Sequence, residues 1–260
     1  MPLRKQVVSR KFSTAIERVR WAQQDIVNFK KLTLSFFSSQ VYERLAEVDA
    51  DDSHIIDKIR FKRRLHPDFT KLAVSALENL RAALDHGACA VVPRGKRGNV
   101  YFPFGRTRRE LEDNIKSKSK NVPDEIKVLF RGFKPYRRGN PPLWALNKFC
   151  NTHKHRTIVR PGVHIKNAEF VGFTKGSGPN AIFRYSSPVW NRRKNEVIIS
   201  RSPRQATSHH DIDISIGVAF GNVPVFSGRL VLAVLRYLAR QVEIILWRME
   251  SEARKIGIVK

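Results

Sequence analysis

The sequence predicts an α+β protein in which an N-terminal helical bundle is followed by an antiparallel sheet and a long C-terminal helix. Through most of the first 160 residues, apolar side chains recur every three or four positions, which is the period of an amphipathic helix. After Gly162 the pattern alternates, most cleanly from Asp211 to Phe220. No helical period separates the strands, which implies antiparallel pairing. We therefore expect a helical domain over residues 1–160 and a β-meander with its closing helix over residues 161–260, packed as one unit.

Capping residues and prolines set the expected ends of the elements. Ser13 can cap the first helix with its hydroxyl, and Pro67 fits the first turn of the second helix, where its missing N–H costs nothing. The expected helices are residues 13–48 with a break near residue 38, 67 to 87 or 92, 107–117, 123–131, 143–156 and 227–254. The expected strands are residues 163–165, 169–174, 181–186, 196–201 and 211–220.

The segment from Leu143 to Arg156, LWALNKFCNTHKHR, combines an apolar face with a polar stripe on one predicted helix. Asn147, Asn151 and His155 are spaced four apart and therefore lie above one another. Such a stripe needs partners, since an unpaired buried amide costs about 1 to 3 kcal/mol. Segment 79–86, NLRAALDH, carries matching groups, so we expect the two helices to face each other. The polar seam between them would comprise Asn79, Arg81, Asp85, His86, Asn147, Asn151 and His155.

The charge balance points to a polyanionic partner. The chain has 49 Lys and Arg against 23 Asp and Glu, a formal net charge of +26, which is more than solubility requires. Nucleic acid fits this charge best. An anionic membrane surface, a polyphosphate or an acidic protein also satisfies the electrostatics, and a merely solvated basic surface is the alternative.

Cysteine usage and hydropathy favour a cytoplasmic protein. Cys89 and Cys150 are the two cysteines, and they form neither a CxxC pair nor a disulfide framework. The N-terminal residues lack the apolar core of a secretory signal. The most apolar run, residues 230–247, contains Arg236 and Glu243, so we expect a core helix there and no membrane span.

A basic insertion at about residues 93–140 interrupts the helical domain. Residues 92–140 hold 14 Lys or Arg against 5 Asp or Glu, with aromatic residues between them. The aromatic rings could stack on the bases of a single strand while the cations hold its backbone, or they could anchor the insertion to the core. The candidate nucleic-acid-binding residues are Arg108, Arg109, Arg137, Arg138, Lys154 and Arg156.

Arg81 and His86 form the pattern R-x4-H late in a predicted amphipathic helix. This pattern resembles the motif of the HEPN superfamily, many of whose members are metal-independent endoribonucleases. The resemblance implies that His86 moves a proton during cleavage of RNA while Arg81 stabilises the phosphate, with His155 as a further catalytic candidate. It also implies a homodimer, since such sites are often assembled across two chains. The alternative is an Arg81 to Asp85 ion pair and a His86 that caps the helix.

A second resemblance covers more of the chain. Segments 79–86, 102–104 and 143–156, which read NLRAALDH, FPF and LWALNKFCNTHKHR, are similar in order to segments of an uncharacterised group of bacterial proteins. This resemblance implies no activity. It implies only that the two polar helices belong to one unit.

Cys150, His153 and His155 are spaced closely enough to ligate a metal, with His209, His210 and Asp211 as further ligands. The paired short-spaced ligands of most zinc sites are missing, so we expect no metal and no cofactor. Cys150 is expected to be a buried structural thiol. The favoured hypothesis is thus a nucleic-acid-associating protein with RNA cleavage as its extension, and the alternative is a structural or regulatory protein that binds an acidic partner.

Overall fold

A computed structural model describes residues 9–38, 41–152, 159–171, 189–191, 193–204, 209–221 and 223–259. Six helices are present in this part of the chain: α1 Ser13–Ser38, α2 Pro67–Ala90, α3 Arg108–Lys118, α4 Asp124–Phe133, α5 Pro141–Thr152 and α6 Val231–Lys255. The described strands are β1 Tyr42–Val48, β2 His54–Phe61, β3 Val159–Val171, β4 Val189–Asn191, β5 Glu196–Pro203 and β6 His209–Phe220. The α+β class is therefore as expected.

The first helix is shorter than the sequence predicted. It ends at Ser38, and Tyr42–Val48 forms a hairpin with His54–Phe61 instead of continuing the helix. Val41 and Leu45 misled the prediction because a spacing of four keeps two residues on one face of a strand as well as of a helix. Residues 42–48 form a strand and not a helix because they pair with β2, which gives their backbone N–H and C=O groups hydrogen-bond partners.

The described strands pair antiparallel, but they fall into two sheets and not into one meander. One sheet has the order β1-β2-β5-β4, so the N-terminal hairpin pairs with a strand from the second half of the chain. The other joins β3 to β6. The predicted strands 163–165 and 169–174 correspond to one strand as far as residue 171. The predicted strand 181–186 lies outside the described residues.

Charged residues are buried within the first sheet. Lys58 and Glu196 are both buried, and their side chains form an ion pair at 3.1 Å. Arg60 Nε donates to Glu196 Oε1 at 2.7 Å, and Glu47 also contacts Lys58. Burial removes water from the charged groups, which is unfavourable. The cluster is stable because each buried charge is paired with an opposite charge.

The closing helix α6 rejoins the N-terminal bundle and packs on α1 and α2. Its approach to α2 is close enough that a Cβ added at Gly87 would clash with Leu246. Buried leucines, valines and alanines from all three helices form one continuous core. No helix in the described part of the chain is long and apolar enough to cross a membrane.

Candidate functional site

A polar contact joins α2 to α5, as the sequence predicted. Arg81 Nε donates a hydrogen bond to Asn147 Oδ1 at 2.9 Å. Arg81 also forms an ion pair with Asp85, and Asp85 Oδ1 accepts a hydrogen bond from the Phe102 backbone N–H at 2.9 Å. The Arg81 Cζ atom lies 4.5 Å from the centroid of the Phe104 ring. The seam therefore holds α2, α5 and the start of the basic insertion together.

The guanidinium group of Arg81 is enclosed by these contacts. Its side chain is only 17% exposed, and Asp85, Asn147 and the Phe104 ring approach it from different sides. The Nη1 atom is buried and lies in the ion pair with Asp85, but it makes no hydrogen bond within the described part of the chain. The ion pair that the sequence offered as a structural alternative is present in the fold.

Asn79 lies on the opposite side of α2 and contacts α1. Its Oδ1 atom accepts a hydrogen bond from Arg18 Nη1 at 3.1 Å, and its Nδ2 atom donates to Ser75 Oγ at 3.5 Å. Ser75 Oγ donates in turn to Asp25 Oδ2 at 2.7 Å. Asn79 and Arg81 are two residues apart, which turns their side chains about 200° from each other on a helix. The placement of Asn79 in the seam with α5 was therefore wrong.

His86 is half-buried and lies on the same side of α2 as Asn79, two helical turns earlier, and not on the side that carries Arg81. Burial lowers its pKa because it disfavours the imidazolium form, and the positive charge of Arg18 lowers the pKa further, against an opposing effect of Asp85. The imidazole is consequently neutral near pH 7. A neutral imidazole can accept a proton, which is the chemistry that a general base needs.

The C-terminal end of the second polar helix is described only in part. Helix α5 ends at Thr152, and Asn151 is exposed. The catalytic candidate His155, the phosphate-binding candidates Lys154 and Arg156, and the metal-ligating candidate His153 lie outside the described residues.

Both thiols are packed against backbone carbonyls. Cys150 Sγ donates to the Leu77 carbonyl oxygen at 3.7 Å, and Cys89 Sγ donates to the Val100 carbonyl oxygen at 3.3 Å. Burial raises the pKa of Cys89, with Asp85 acting in the same direction. Since the thiolate is the nucleophile, a raised pKa makes Cys89 less reactive than an ordinary thiol. These contacts agree with a structural thiol at Cys150.

One group of candidate metal ligands lies at the β1–β2 turn. Single ligand atoms of Asp49, Asp51 and His54 all lie within 4.8 Å of one another. However, Asp49 pairs with Arg201, and Asp51 accepts a hydrogen bond from Ser53 Oγ at 2.7 Å. These partners account for the acidic cluster without an ion.

The phenylalanines of the insertion are anchors. Phe102, Phe104, Phe130 and Phe133 are buried, and the Phe102 ring centroid lies 5.1 Å from those of Phe104 and Phe130. They cannot stack on bases without unfolding the insertion. Tyr101, with 47% of its surface exposed, is an aromatic residue of the insertion that solvent reaches. The anchoring interpretation is therefore right for the four phenylalanines.

Two pairs of candidate phosphate-binding arginines lie beside each other. Gly105 and Tyr136 form an isolated parallel bridge, with Gly105 N donating to the Pro135 carbonyl oxygen at 3.1 Å. This bridge brings the start of α3 next to the turn before α5. The arginines at these two places are all exposed, and we call them the insertion face: Arg108, Arg109, Arg137 and Arg138.

The insertion face is connected to the seam. Arg137 Cζ lies 5.7 Å from the Trp144 ring centroid, and Trp144 is in α5 with Asn147. Arg108 and Arg109 occupy the first turn of α3, whose unpaired N–H groups carry the positive end of the helix dipole. In the described part of the chain, none of the four arginines is paired with a carboxylate.

Sequence reasoning missed Arg18, which lies between the Asn79 and His86 side chains and the ring of Trp21, 4.8 Å from the ring centroid. Its position in the long first helix looked like an ordinary solvated charge.

Comparisons of the chain with protein-family models, with curated proteins and with solved structures found no match.

Proposed function

We propose that this protein binds nucleic acid, with single-stranded RNA as the favoured partner, and that the insertion face is a principal phosphate-binding surface. The observation that carries the proposal is that the Gly105–Tyr136 bridge brings the backbone near two exposed arginine pairs together, Arg108 with Arg109 and Arg137 with Arg138, none of them joined to a carboxylate in the described part of the chain. Arginine suits phosphate because its planar fork donates two parallel hydrogen bonds. The formal net charge of +26 adds long-range attraction to the same partner.

The proposed binding is dominated by phosphate contacts, with little base recognition. The phenylalanines that could have stacked on bases form the core of the insertion. Affinity would then depend on counterion release and fall steeply with salt, with only weak sequence preference. A cytoplasmic location is part of this proposal, since a reducing compartment suits two unpaired thiols.

Substitution of the insertion face tests this proposal. The affinity for a fluorescein-labelled single-stranded RNA is measured by anisotropy at fixed salt for the wild type and for a variant with Arg108, Arg109, Arg137 and Arg138 all changed to Gln. We expect the affinity to fall at least tenfold. The matched control removes the same charge from exposed cations elsewhere, through Gln substitutions at Lys30, Lys31, Arg63 and Arg64. Equal losses in the two variants would show that only net charge matters, and a wild type that does not bind RNA would overturn the proposal.

An acidic protein is the competing partner. Poly-glutamate presents a dense negative charge without phosphate or bases, so it serves as the competitor. We expect it to displace labelled RNA only at concentrations far above those of unlabelled RNA. A pull-down from nuclease-treated lysate complements this test, because partners held through nucleic acid vanish and direct protein partners persist.

RNA cleavage by Arg81 and His86 is the second candidate function, and the half-buried position of His86, where burial and Arg18 lower its pKa, favours it. The enclosure of Arg81 favours binding without cleavage. Purified protein is incubated with mixed RNA in EDTA beside a His86→Ala variant. Cleavage by the wild type that the variant loses would establish the enzyme, whereas equal cleavage or none in both would exclude His86 as a catalytic residue.

The homodimer implied by the HEPN resemblance is a separate part of the proposal. Size-exclusion chromatography with light scattering gives the mass in solution directly. A mass near twice 29.9 kDa would support it, and a mass near 29.9 kDa at micromolar concentration would exclude a stable dimer.

A further inference from the structure

We infer that a second surface of the protein, formed by both ends of the chain and by other residues of the basic insertion, holds the phosphate backbone of the same single-stranded nucleic acid. This inference rests on the proposed function for the identity of the partner. The surface is a groove between the residues that precede α1, the chain that follows α2, and the end of α6, and we call it the terminal groove. Lys11, Pro93, Gly257 and Ile258 line its middle part.

The terminal groove consists of two adjoining concavities. They have volumes of about 730 Å³ and about 700 Å³ and share four lining residues, Lys11, Pro93, Gly257 and Ile258. Ligand sites that hold a drug-sized molecule usually enclose about 300 to 1,000 Å³. Each half of the groove is therefore large enough for a nucleotide unit, and the pair forms a path that a linear chain can follow.

Cations surround this path on every side. They come from three separate parts of the sequence: Arg10, Lys11, Lys96, Arg97, Lys120 and Lys127. Asp124 is the one carboxylate among the described residues that line the groove, and it forms an ion pair with Lys127 at 3.0 Å. Charges of one sign that converge on a concave surface raise the local potential and favour a polyanion.

Two of the cations are held in position by the fold. Lys11 Nζ donates to the Ile258 carbonyl oxygen at 2.6 Å, and Arg97 Nε donates to the Val92 carbonyl oxygen at 3.1 Å. Each contact uses one donor and leaves the others for a ligand. Holding a side chain beforehand reduces the entropy that binding costs.

Three of the other cations have no ionic partner among the described residues. Arg10, Lys96 and Lys120 are exposed, and none is joined to a carboxylate within the described ranges. Three like charges gathered around one groove repel one another, and a bound phosphate chain relieves that repulsion. They are the residues through which the inference can be tested without disturbing the fold.

The apolar part of the groove favours a single strand over a duplex. Solvent reaches three of its apolar lining residues, Pro93, Pro123 and Ile258, whereas Val92, Val122 and Val259 are buried. A duplex presents only its charged backbone to a surface of this kind, whereas a single strand can turn its bases toward accessible apolar side chains. The groove therefore combines cations with accessible apolar surface for unpaired nucleotides.

The test compares a groove variant, Arg10→Gln with Lys96→Gln and Lys120→Gln, with a control that loses the same charge through Lys30→Gln, Lys31→Gln and Arg64→Gln. Affinity for labelled single-stranded RNA is measured across a salt series, and thermal unfolding checks that both variants fold. We expect the groove variant to lose at least fivefold more affinity than the control. Its plot of log affinity against log salt should become less steep by about 2, since each lost phosphate contact on a single strand removes about 0.7.

A gain-of-binding variant tests the same inference in the opposite direction. Asp124→Asn removes the groove's carboxylate and frees Lys127, so we expect RNA to bind severalfold more tightly. Affinities of the groove variant and its control that agree within twofold would overturn the inference and leave the proposed function intact, provided that the insertion-face variant is impaired. A wild type that binds no RNA would overturn both. A hairpin duplex of the same length that binds as tightly, with the same loss in the groove variant, would overturn the single-strand assignment.

Discussion

The Nε atom of Arg81 in α2 donates a hydrogen bond to Oδ1 of Asn147 in α5 at 2.9 Å, and this bond links the two polar helices. The same guanidinium is paired with Asp85 and lies against the Phe104 ring. The two most unusual segments of the sequence thus meet at one arginine. That arginine supports the structure that presents the insertion face.

Removal of the Asn147 amide should destabilise the protein. Asn147→Ala leaves the half-buried Arg81 Nε–H without its acceptor, so we expect the free energy of unfolding to fall by about 1 to 3 kcal/mol. Asn151→Ala is the control, because Asn151 lies on the same helix but is exposed, and its effect should stay within about 0.5 kcal/mol. Urea unfolding measures both. Equal effects would mean that the hydrogen bond contributes nothing to stability.

The ion cluster in the first sheet should make the protein acid-sensitive. Burial acts to raise the pKa of Glu196, but hydrogen bonds from Arg60 and Lys58 outweigh it and hold the pKa below the usual 4.5. A depressed carboxyl pKa contributes stability that is present above pH 4.5 and lost as the pH falls through the folded-state pKa. Glu196→Gln should cost about 3 kcal/mol near pH 7, since it removes one partner of a buried pair.

Unfolding free energies measured from pH 7 to pH 3 check this prediction. The difference between the wild type and Glu196→Gln should shrink as the pH falls, because the wild type loses its own carboxylate charge. A difference that stays constant over this range would contradict the role of the ionised Glu196.

The close approach of α2 and α6 predicts opposite effects for two glycine substitutions. Gly87→Ala places a methyl group against Leu246, so we expect it to destabilise the protein by about 1 to 3 kcal/mol despite the better helix propensity of alanine. Gly132 lies in α4, and a Cβ added there would have no neighbour within 4 Å, so Gly132→Ala should stabilise by about 0.5 to 1 kcal/mol. Thermal unfolding measures the Tm of both variants. A Tm shift in the same direction for both would mean that α2 and α6 are farther apart than the structure shows.

His86 should titrate at a lower pH than an ordinary histidine. Because burial and Arg18 lower its pKa, the neutral form is favoured in the folded state. The contribution of the lowered pKa to stability is complete above pH 6.5, the ordinary pKa of histidine, and is lost as the pH falls through the pKa of His86 in the folded state. Histidine NMR signals followed from pH 8 to pH 4 should give a pKa below 6.5 for His86, rising toward 6.5 in Arg18→Gln. A pKa at or above 6.5 in the wild type would contradict the burial of the ring.

The parts of the fold that the sequence predicted well are those with strong local signals. Pro67 begins α2 as expected, and the helix expected at residues 107–117 is α3. Ser13 begins α1, but its hydroxyl donates to the Arg10 carbonyl oxygen at 2.8 Å instead of capping the helix. The expected strand 211–220 is present as His209–Phe220. In each case the residues that define the element lie within it, so one segment of sequence is sufficient.

The predictions that failed concern elements whose structure depends on contacts between segments far apart in the sequence. The β1–β2 hairpin is stabilised partly by β5, where Arg60 and Glu196 are separated by 136 residues, so the local helical spacing of Val41 and Leu45 misled the prediction. The seam was predicted correctly for Arg81 and Asn147 because amide and guanidinium groups on facing helices seek each other. The terminal groove had no local signal, since its cations come from three separate segments.

The salt dependence of RNA binding tests the central claim most directly. Dissociation constants for one labelled single-stranded RNA are measured from low to high KCl for the wild type and for the variant with Gln at positions 108, 109, 137 and 138. We predict a steep loss of wild-type affinity with salt and a slope less steep by about 3 for the variant, if each arginine holds one phosphate. Wild-type binding that is indifferent to salt, or equal slopes for both proteins, would contradict the account.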